Sequence, residues 1–501
     1  MTTVLPRTSA ARRRGHLLAT AGAAGALLAA AVVTSTSIGA LAAIAVCGLL
    51  CCRWPVDRLI LAYLAVSLRA DERSAIPFNQ LWESPVQHAA DFWFETVKHS
   101  VPWLPIPASP MFLVAVGLLA RTALERTGPG WARDADRPPL PASFRSALRV
   151  AVVALAASCA DGLVRGGDVQ QTYYQIFGLV VAVALAAATA AVGSPELGRS
   201  VCTLVVALAG YRAALAAWVY LTKVVGHGPP PLYVTTHADS ALWAVALAIL
   251  FARFIEQPTR RHRSMLLLVG TILGFALVVN NRRLGWVVVA TAFAYVTVMS
   301  HGVARRRLTR LLSYVALPLV LYVAVALVGP EKRIFAPVQA LRSVVRGTDT
   351  SSVTRDVENF NLVFTLRAHL PIGTGFGHPY IEAIRGADIS TGVGSSFVNY
   401  RYLPHNSLLG LLMWMGPVGL ALVLLPLLVG VRAALAAHRT HADPAVRVQV
   451  AAVLTAWVGY VMSAWGDQGL YGGATVVLGG VFAGLGVRLA ARDRSMAVAQ
   501  E

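Results

Sequence analysis

Apolar runs of roughly 20 residues recur along the chain between short polar links, and each is long enough for an α-helix to cross a bilayer. Candidate spans fall near 16–33, 37–53, 56–70, 110–126, 146–165, 174–192, 199–221, 240–257, 264–280, 285–300, 311–329, 406–431, 446–466 and 473–491. The first three are rich in Ala and Gly, which blurs their borders, so the pattern predicts about twelve to fourteen spans. The start, with Arg12, Arg13 and Arg14 before an Ala/Leu run, has the outline of a signal peptide. Because the apolar character continues past residue 50, it reads as an uncleaved first helix pair.

Composition agrees with this pattern. The 501 residues are 56% hydrophobic and 13% charged, and mean hydropathy is +0.62. Soluble domains carry about 25% charged residues, so a soluble enzyme and a disordered chain are both excluded. The expected fold class is all-α, a polytopic integral membrane helix bundle. Five cysteines, Cys47, Cys51, Cys52, Cys159 and Cys202, lie in or beside apolar runs without metal-ligand spacing and read as small core residues.

The net charge is +19, from 43 Lys+Arg against 24 Asp+Glu. In a soluble domain this excess would suggest nucleic acid. In a membrane chain it marks cytoplasmic loops, and no nucleic-acid partner is implied. Four strongly basic links, around residues 11–16, 257–264, 301–310 and 432–447, fall on one side if the spans alternate. The expectation is a multi-pass protein of the cytoplasmic membrane with both termini inside. The organisation that follows is a basic N-terminus (1–15), a bundle (16–329), an extracytoplasmic loop domain (330–404), C-terminal spans (405–491) and a cytoplasmic tail (492–501). Within the bundle, residues 71–109 read as an outer interfacial segment anchored by Trp82, Trp93 and Trp103.

The outer loop departs from the charge pattern. Residues 330–404 carry Arg333, Arg342, Arg346, Arg355, Arg367, Arg385 and Arg401 with His369 and His378, where arginine should be scarce. An anionic ligand on that face accounts for them. Within the loop, residues 351–370 predict a helix with Val353, Val357, Phe360, Phe364 and Leu366 as its apolar stripe and Arg355 facing away from much of it. A turn, "PIGTGFGHPY", follows, and its glycines 373, 375 and 377 suit close backbone approach.

Candidate chemistry gathers on the same face. Arg282 and Arg283 occupy an outward turn, Arg355 lies in the loop, and Arg401, His405 and Asn406 precede a span. Singly, the turn arginines could bind lipid headgroups, Arg355 could pair with Asp356 or Glu358, and His405 could cap a helix. Together, guanidiniums and an imidazole suit a diphosphate ligand and a hydroxyl acceptor. Asp161 and Arg212 lie inside spans, and either line a substrate path or pair with each other. Asp71 and Glu72 open the first outer loop as a rival catalytic acid or a plain acidic helix end. Asp134 and Asp136 form a D-x-D string on the cytoplasmic side and read as solvated charge.

Three of these segments carry a family resemblance: Arg282-Arg283-Leu284-Gly285-Trp286, then Arg355 through Pro371-Ile372-Gly373-Thr374-Gly375-Phe376-Gly377, then His405-Asn406-Ser407-Leu408 through Gly416-Pro417-Val418-Gly419-Leu420. Their order and spacing over residues 264–431 resemble bacterial O-antigen ligases and polymerases. The resemblance implies a metal-independent, cofactor-free glycosyltransferase. It would move a glycan from an undecaprenyl diphosphate carrier to a hydroxyl on a glycan, lipid or protein acceptor, at the outer face of the membrane. Carried over by position, Arg283 and Arg355 would hold the diphosphate and His405 would act on the acceptor hydroxyl. Arg282, Arg401 and Asn406 would contribute to substrate binding, and Asp161 and Arg212 join them as candidates only as charges inside spans. The family usually has Ser or Thr where this chain has Arg282, so either turn arginine fits, and the spacing to Trp286 favours Arg283. The motifs do not separate a ligase from a polymerase. A lipid-linked-oligosaccharide flippase is the alternative from another class, but it would need cations in a cavity open to both sides.

Overall fold

In a computed structural model, the structure describes residues 37–69, 92–104, 106–127, 139–192, 195–226, 234–329, 335, 338–339, 350–384, 401–440, 443–466, 469–471 and 473–498. The expected span at 16–33, the basic triplet at 12–14, Trp82, Asp71, Glu72, Asp134, Asp136, Arg333, Arg342, Arg346 and Arg385 lie outside them. The described residues are helical with no strand among them. The chain divides into two compact units, one of Met1–Arg73 with Trp82–Arg137, the other of Ser74–Leu81 with Pro138–Glu501.

The first unit contains α1 (Ser37–Arg53), α2 (Val56–Arg69), the single turn α3 (Val97–Ser100) and α4 (Pro110–Thr127). One of its clusters packs Ala40 and Ala43 against Phe92, Val97 and Val101. Trp93, expected to anchor at an interface, is instead buried. Its ring lies edge-on to Tyr63 at 5.3 Å, and its indole N–H donates to Ser67 Oγ at 2.9 Å. A partner for the indole N–H is what lets a tryptophan enter a core. Trp103 remains exposed.

The second unit is the bundle. It runs α5 (Ala142–Val164), α6 (Val169–Val192), α7 (Pro195–Val219, continued by a π-turn at Tyr220–Val224), α8 (His237–Glu256), α9 (Arg260–Asn280), α10 (Arg283–Met299), α11 (Gly302–Val328), α12 (Thr350–Ala368), α13 (Ser407–Thr440), α14 (Pro444–Gly466) and α15 (Gly473–Val498). Among the described residues, nine helices are long and apolar enough to span a membrane, and α10 is a shorter apolar helix of 17 residues. This is the expected all-α membrane bundle.

Burial sorts these helices. The apolar α6, α8, α14 and α15 are mostly covered by other helices, while α11 is exposed along almost its whole length. A helix that is apolar all round and uncovered by protein faces lipid. Small residues set the closest approach inside. A Cβ on Gly480 or Gly484 of α15 would fall 2.5 Å from the carbonyl oxygens of Ala182 and Ala186 on α6, as in small-residue membrane interfaces.

The basic links converge on one end of this unit. There Arg447 pairs with Glu256 at 2.8 Å, and Arg307 donates to the Ile255 carbonyl at 2.9 Å. His438 sits between Tyr295 Oη (3.2 Å) and the Met299 carbonyl (3.0 Å). The opposite end holds the α5–α6 turn and the starts of α8, α10 and α13.

The glycine-rich turn after α12 is built into that opposite end. Thr374 N and Gly375 N donate to the carbonyls of Met413 (3.0 Å) and Trp414 (2.9 Å) on α13, and Phe376 N donates to Ser158 O on α5 (3.3 Å). Gly377 N donates to Gln175 Oε1 at 2.6 Å. At Gly375, φ is 76° and a Cβ would lie 2.3 Å from the Gly162 Cα. Gly416 answers it across the contact: its φ of 64° kinks α13, and a Cβ there would lie 2.0 Å from the Pro371 carbonyl oxygen. The surface these glycines approach is therefore the chain's own backbone.

Gly375→Ala is expected to destabilise the protein by about 1–3 kcal/mol, through both strain and overlap. Gly274→Ala, at a helical site with nothing within 4 Å of the added methyl, should be neutral or stabilising by about 0.5–1 kcal/mol. Thermal unfolding of the two variants in one detergent checks the contrast.

Candidate functional site

The site forms where the α9–α10 turn meets the start of α8. Asn280, the last residue of α9, is fully buried. Its Oδ1 accepts from Val234 N (3.1 Å) and Thr235 N (2.7 Å). Its Nδ2 donates to the Thr236 carbonyl (3.1 Å) and Ser240 Oγ (2.9 Å). Asn281 then turns the chain in the left-handed region at φ 47°, a conformation asparagine tolerates better than most residues. The turn delivers Arg282 inward. The buried guanidinium donates through Nη2 to the Thr235 carbonyl at 3.1 Å and through Nη1 to His237 Nε2 at 2.5 Å. Since arginine has only donors, His237 accepts there and carries its proton on Nδ1. Arg283 opens α10 half-buried.

Two further expected residues reach the same place. The ionisable side chains within electrostatic reach of His237 are Arg282, Arg355 and His405. The structure thus brings together one turn arginine, the loop arginine and the pre-span histidine, with His237 among them. No motif singles out His237 in the sequence; its one signal is "TTHAD" before an apolar run, a helix-start signature.

His405 is held by Glu358, which helical spacing offers only as a partner for Arg355. Both oxygens of the buried Glu358 are taken by His405, one accepting its backbone N–H at 2.7 Å and the other its Nδ1–H at 3.0 Å. That bond fixes the tautomer and puts the basic lone pair of the neutral imidazole on Nε2. Glu358 also bears on Tyr380 and Tyr471. Burial first, then this carboxylate, raises both phenols above the ordinary tyrosine range. The Tyr471 hydroxyl is buried with no hydrogen-bond partner among the described residues.

The helix α12 that carries Arg355 and Glu358 forms where expected, but its faces are reversed. Glu358, Asn361, Leu362 and Thr365 are buried, whereas Phe360 and Phe364 are exposed. The inward side is polar because it is used for hydrogen bonds. Asn361 bonds the backbone of Ile384 through both amide atoms (2.8 and 2.9 Å), and Thr365 Oγ1 accepts from Ile381 N at 2.8 Å.

The remaining expected binding residues are engaged with the protein. Asn406 caps α13, accepting from Leu409 N at 3.0 Å, and donates to Asn359 Oδ1 at 3.0 Å. Arg401 donates to the Tyr380 carbonyl at 3.4 Å. Asp161 and Arg212 do not pair with each other. Asp161 lies one helical turn from Arg165 and takes it as partner at 2.9 Å. Arg212 forms a buried ion pair with Asp239, which the spacing of apolar runs alone did not reveal.

The electrostatic character is strongly positive. The N-termini of α8, α10 and α13 lie beside His237, Arg282 and His405, and each contributes a partial positive charge from its unpaired N–H groups. Fixed guanidiniums over helix N-termini make an anion site.

Removing one partner of the buried pair should matter far more than breaking the exposed one. Asp239→Ala is expected to cost roughly 3–5 kcal/mol by stranding Arg212, and the Arg212→Leu/Asp239→Leu double variant should recover most of it. Asp161→Ala should cost no more than about 1 kcal/mol. Denaturant titrations in detergent distinguish the three. Neither a scan against protein-family models nor a search of curated proteins finds a match to this chain.

Proposed function

We propose that this protein is an O-antigen-ligase-like glycosyltransferase, acting on a polyprenyl diphosphate-linked glycan at the extracytoplasmic face of the cytoplasmic membrane. The observation that carries the reading is a pair of bonded groups, Arg282 on His237 and the buried Glu358 on His405, with Arg355 one helical turn before Glu358 on α12 and within electrostatic reach of His237. Three segments far apart in sequence, each part of the motif resemblance, supply Arg282, Arg355 and His405. The placement of the basic links at the opposite end of the bundle supports an extracytoplasmic site under the positive-inside rule.

The chemistry follows from the groups. The acceptor hydroxyl oxygen attacks the anomeric carbon of the donor glycan while the bond from that carbon to the diphosphate oxygen breaks. The hydroxyl proton passes to His405 Nε2, and the Glu358 carboxylate stabilises the imidazolium through Nδ1. The electron pair leaves with the diphosphate, whose added charge meets Arg282 and Arg355. Guanidiniums fixed before the reaction stabilise that charge without reorganisation. His237, accepting from Arg282, orients the guanidinium. Arg282 takes the role that spacing alone favoured for Arg283, because it is the arginine seated against His237.

Purified variants assayed for glycan transfer from an undecaprenyl diphosphate donor test this. Arg355→Ala and Arg282→Ala should each lower turnover by about 10²–10³-fold, His405→Ala by about 10²–10⁴-fold, and Arg283→Ala by less than Arg282→Ala. All should remain membrane-inserted. Unchanged turnover in Arg355→Ala overturns the assignment. In cells lacking the gene, full-length carrier-linked polymer would indicate a ligase, and single carrier-linked repeat units a polymerase.

A further inference from the structure

We propose that the outward face of α12, together with the first residues of the turn after it, is a membrane-surface element seated in the outer part of the lipid bilayer. Phe360 and Phe364 stand one turn apart on this face, 50% and 44% exposed, with rings stacked at 6.5 Å. Leu370 and Ile372 follow at 54% and 59% exposed. Large apolar side chains grouped in this way mark an interaction surface.

Continuity with the lipid-facing side of the bundle identifies the occupant. Arg165, at the end of α5, donates to the Gly373 carbonyl at 3.5 Å, so Ile372 lies beside the α5 end, where Val164 is 86% exposed. On its other side, the Ile372 backbone lies 2.9 Å from where a Gly416 Cβ would be, two residues before the exposed Val418 of α13. Both neighbours belong to apolar spans. Exposed apolar side chains thus follow from Val164 and Val418 beside the turn, through Ile372 and Leu370, to Phe364 and Phe360 of α12.

The opposite face fixes the height of the helix. Glu358 and Asn359 bond to His405 and Asn406, the two residues immediately before span α13, so α12 lies at the level where a span ends. A helix there, apolar on one side and hydrogen-bonded to protein on the other, has the form of an interfacial helix, whose apolar face sinks about 5–10 Å into the headgroup and acyl boundary. Asp356 and Arg367 flank the phenylalanines and are exposed, placed to reach the headgroups.

Photocrosslinking of the full chain tests this without any assay of turnover, so its result is independent of the proposed reaction. p-Benzoylphenylalanine is placed at Phe364, or separately at Ile372, in protein reconstituted into nanodiscs of phosphatidylethanolamine and phosphatidylglycerol alone. Leu319 on the exposed helix α11 serves as the lipid-facing reference. Intact phospholipid adducts at 364 and 372, in yields comparable to Leu319, are expected. Adducts to this chain or to a second copy, unreacted label at 364 while Leu319 couples, or coupling at 364 only after a polyprenyl lipid is added, would each overturn the proposal.

Discussion

The Asn280 side chain is the contact on which the arrangement at the site end depends. One buried amide makes four hydrogen bonds, two to backbone N–H groups before α8, one to a carbonyl there and one to Ser240. No apolar residue can replace it without stranding two buried N–H groups, each of which costs roughly 1–3 kcal/mol when unpaired. With the amide in place, the end of α9 and the start of α8 are locked together. Arg282 is then two residues from the lock on one strand of the turn, and Thr235 and His237 flank it on the other. The contact between Arg282 and His237 is a geometric consequence of the amide beside them.

The same end has to hold like charges close together. Arg282 and Arg355 both bear on His237, and the N-termini of three helices add to the positive field. Two buried carboxylates offset part of it. Asp239 takes Arg212, and Glu358 takes His405. Arg282 donates to the Thr235 carbonyl and to the His237 imidazole. For the proposed reaction, a diphosphate suits such an end better than a monoanion, because its charge spreads over several oxygens that two guanidiniums could share.

The fold class was legible because span length and apolarity are properties of one segment at a time. α5 to α9, α11 and α13 to α15 follow directly from runs near the length that crosses a bilayer. Arg282 and Arg355 drew notice in the sequence because they fall at the end of the bundle away from the basic links, where the expected topology leaves arginine scarce. Partners were not legible. Glu358 sits three residues after Arg355, so helical spacing suggested that pair, whereas the carboxylate reaches His405 47 residues away. Asp239 and Arg212 lie 27 residues apart on neighbouring helices, and nothing in either segment names the other. Trp93 read as an anchor because tryptophan suits interfaces, yet a hydroxyl at Ser67 made burial the better solution.

The reversed faces of α12 show most sharply how a hydrophobic pattern depends on its solvent. In water, Phe360 and Phe364 on one face would mark the core side. Beside a bilayer the argument loses its sign, because lipid accepts apolar side chains as well as protein does. What then decides orientation is the polar face, which has to find partners within the protein. Glu358, Asn361 and Thr365 find them in His405, Ile384 and Ile381. Each is a bond that water could equally have made in a soluble helix, and lipid could not. A single 19-residue helix thus carries, on opposite sides, the carboxylate that fixes the site imidazole and the rings that face outward. The two demands fit together because helical periodicity separates Glu358 from Phe360 by more than half a turn.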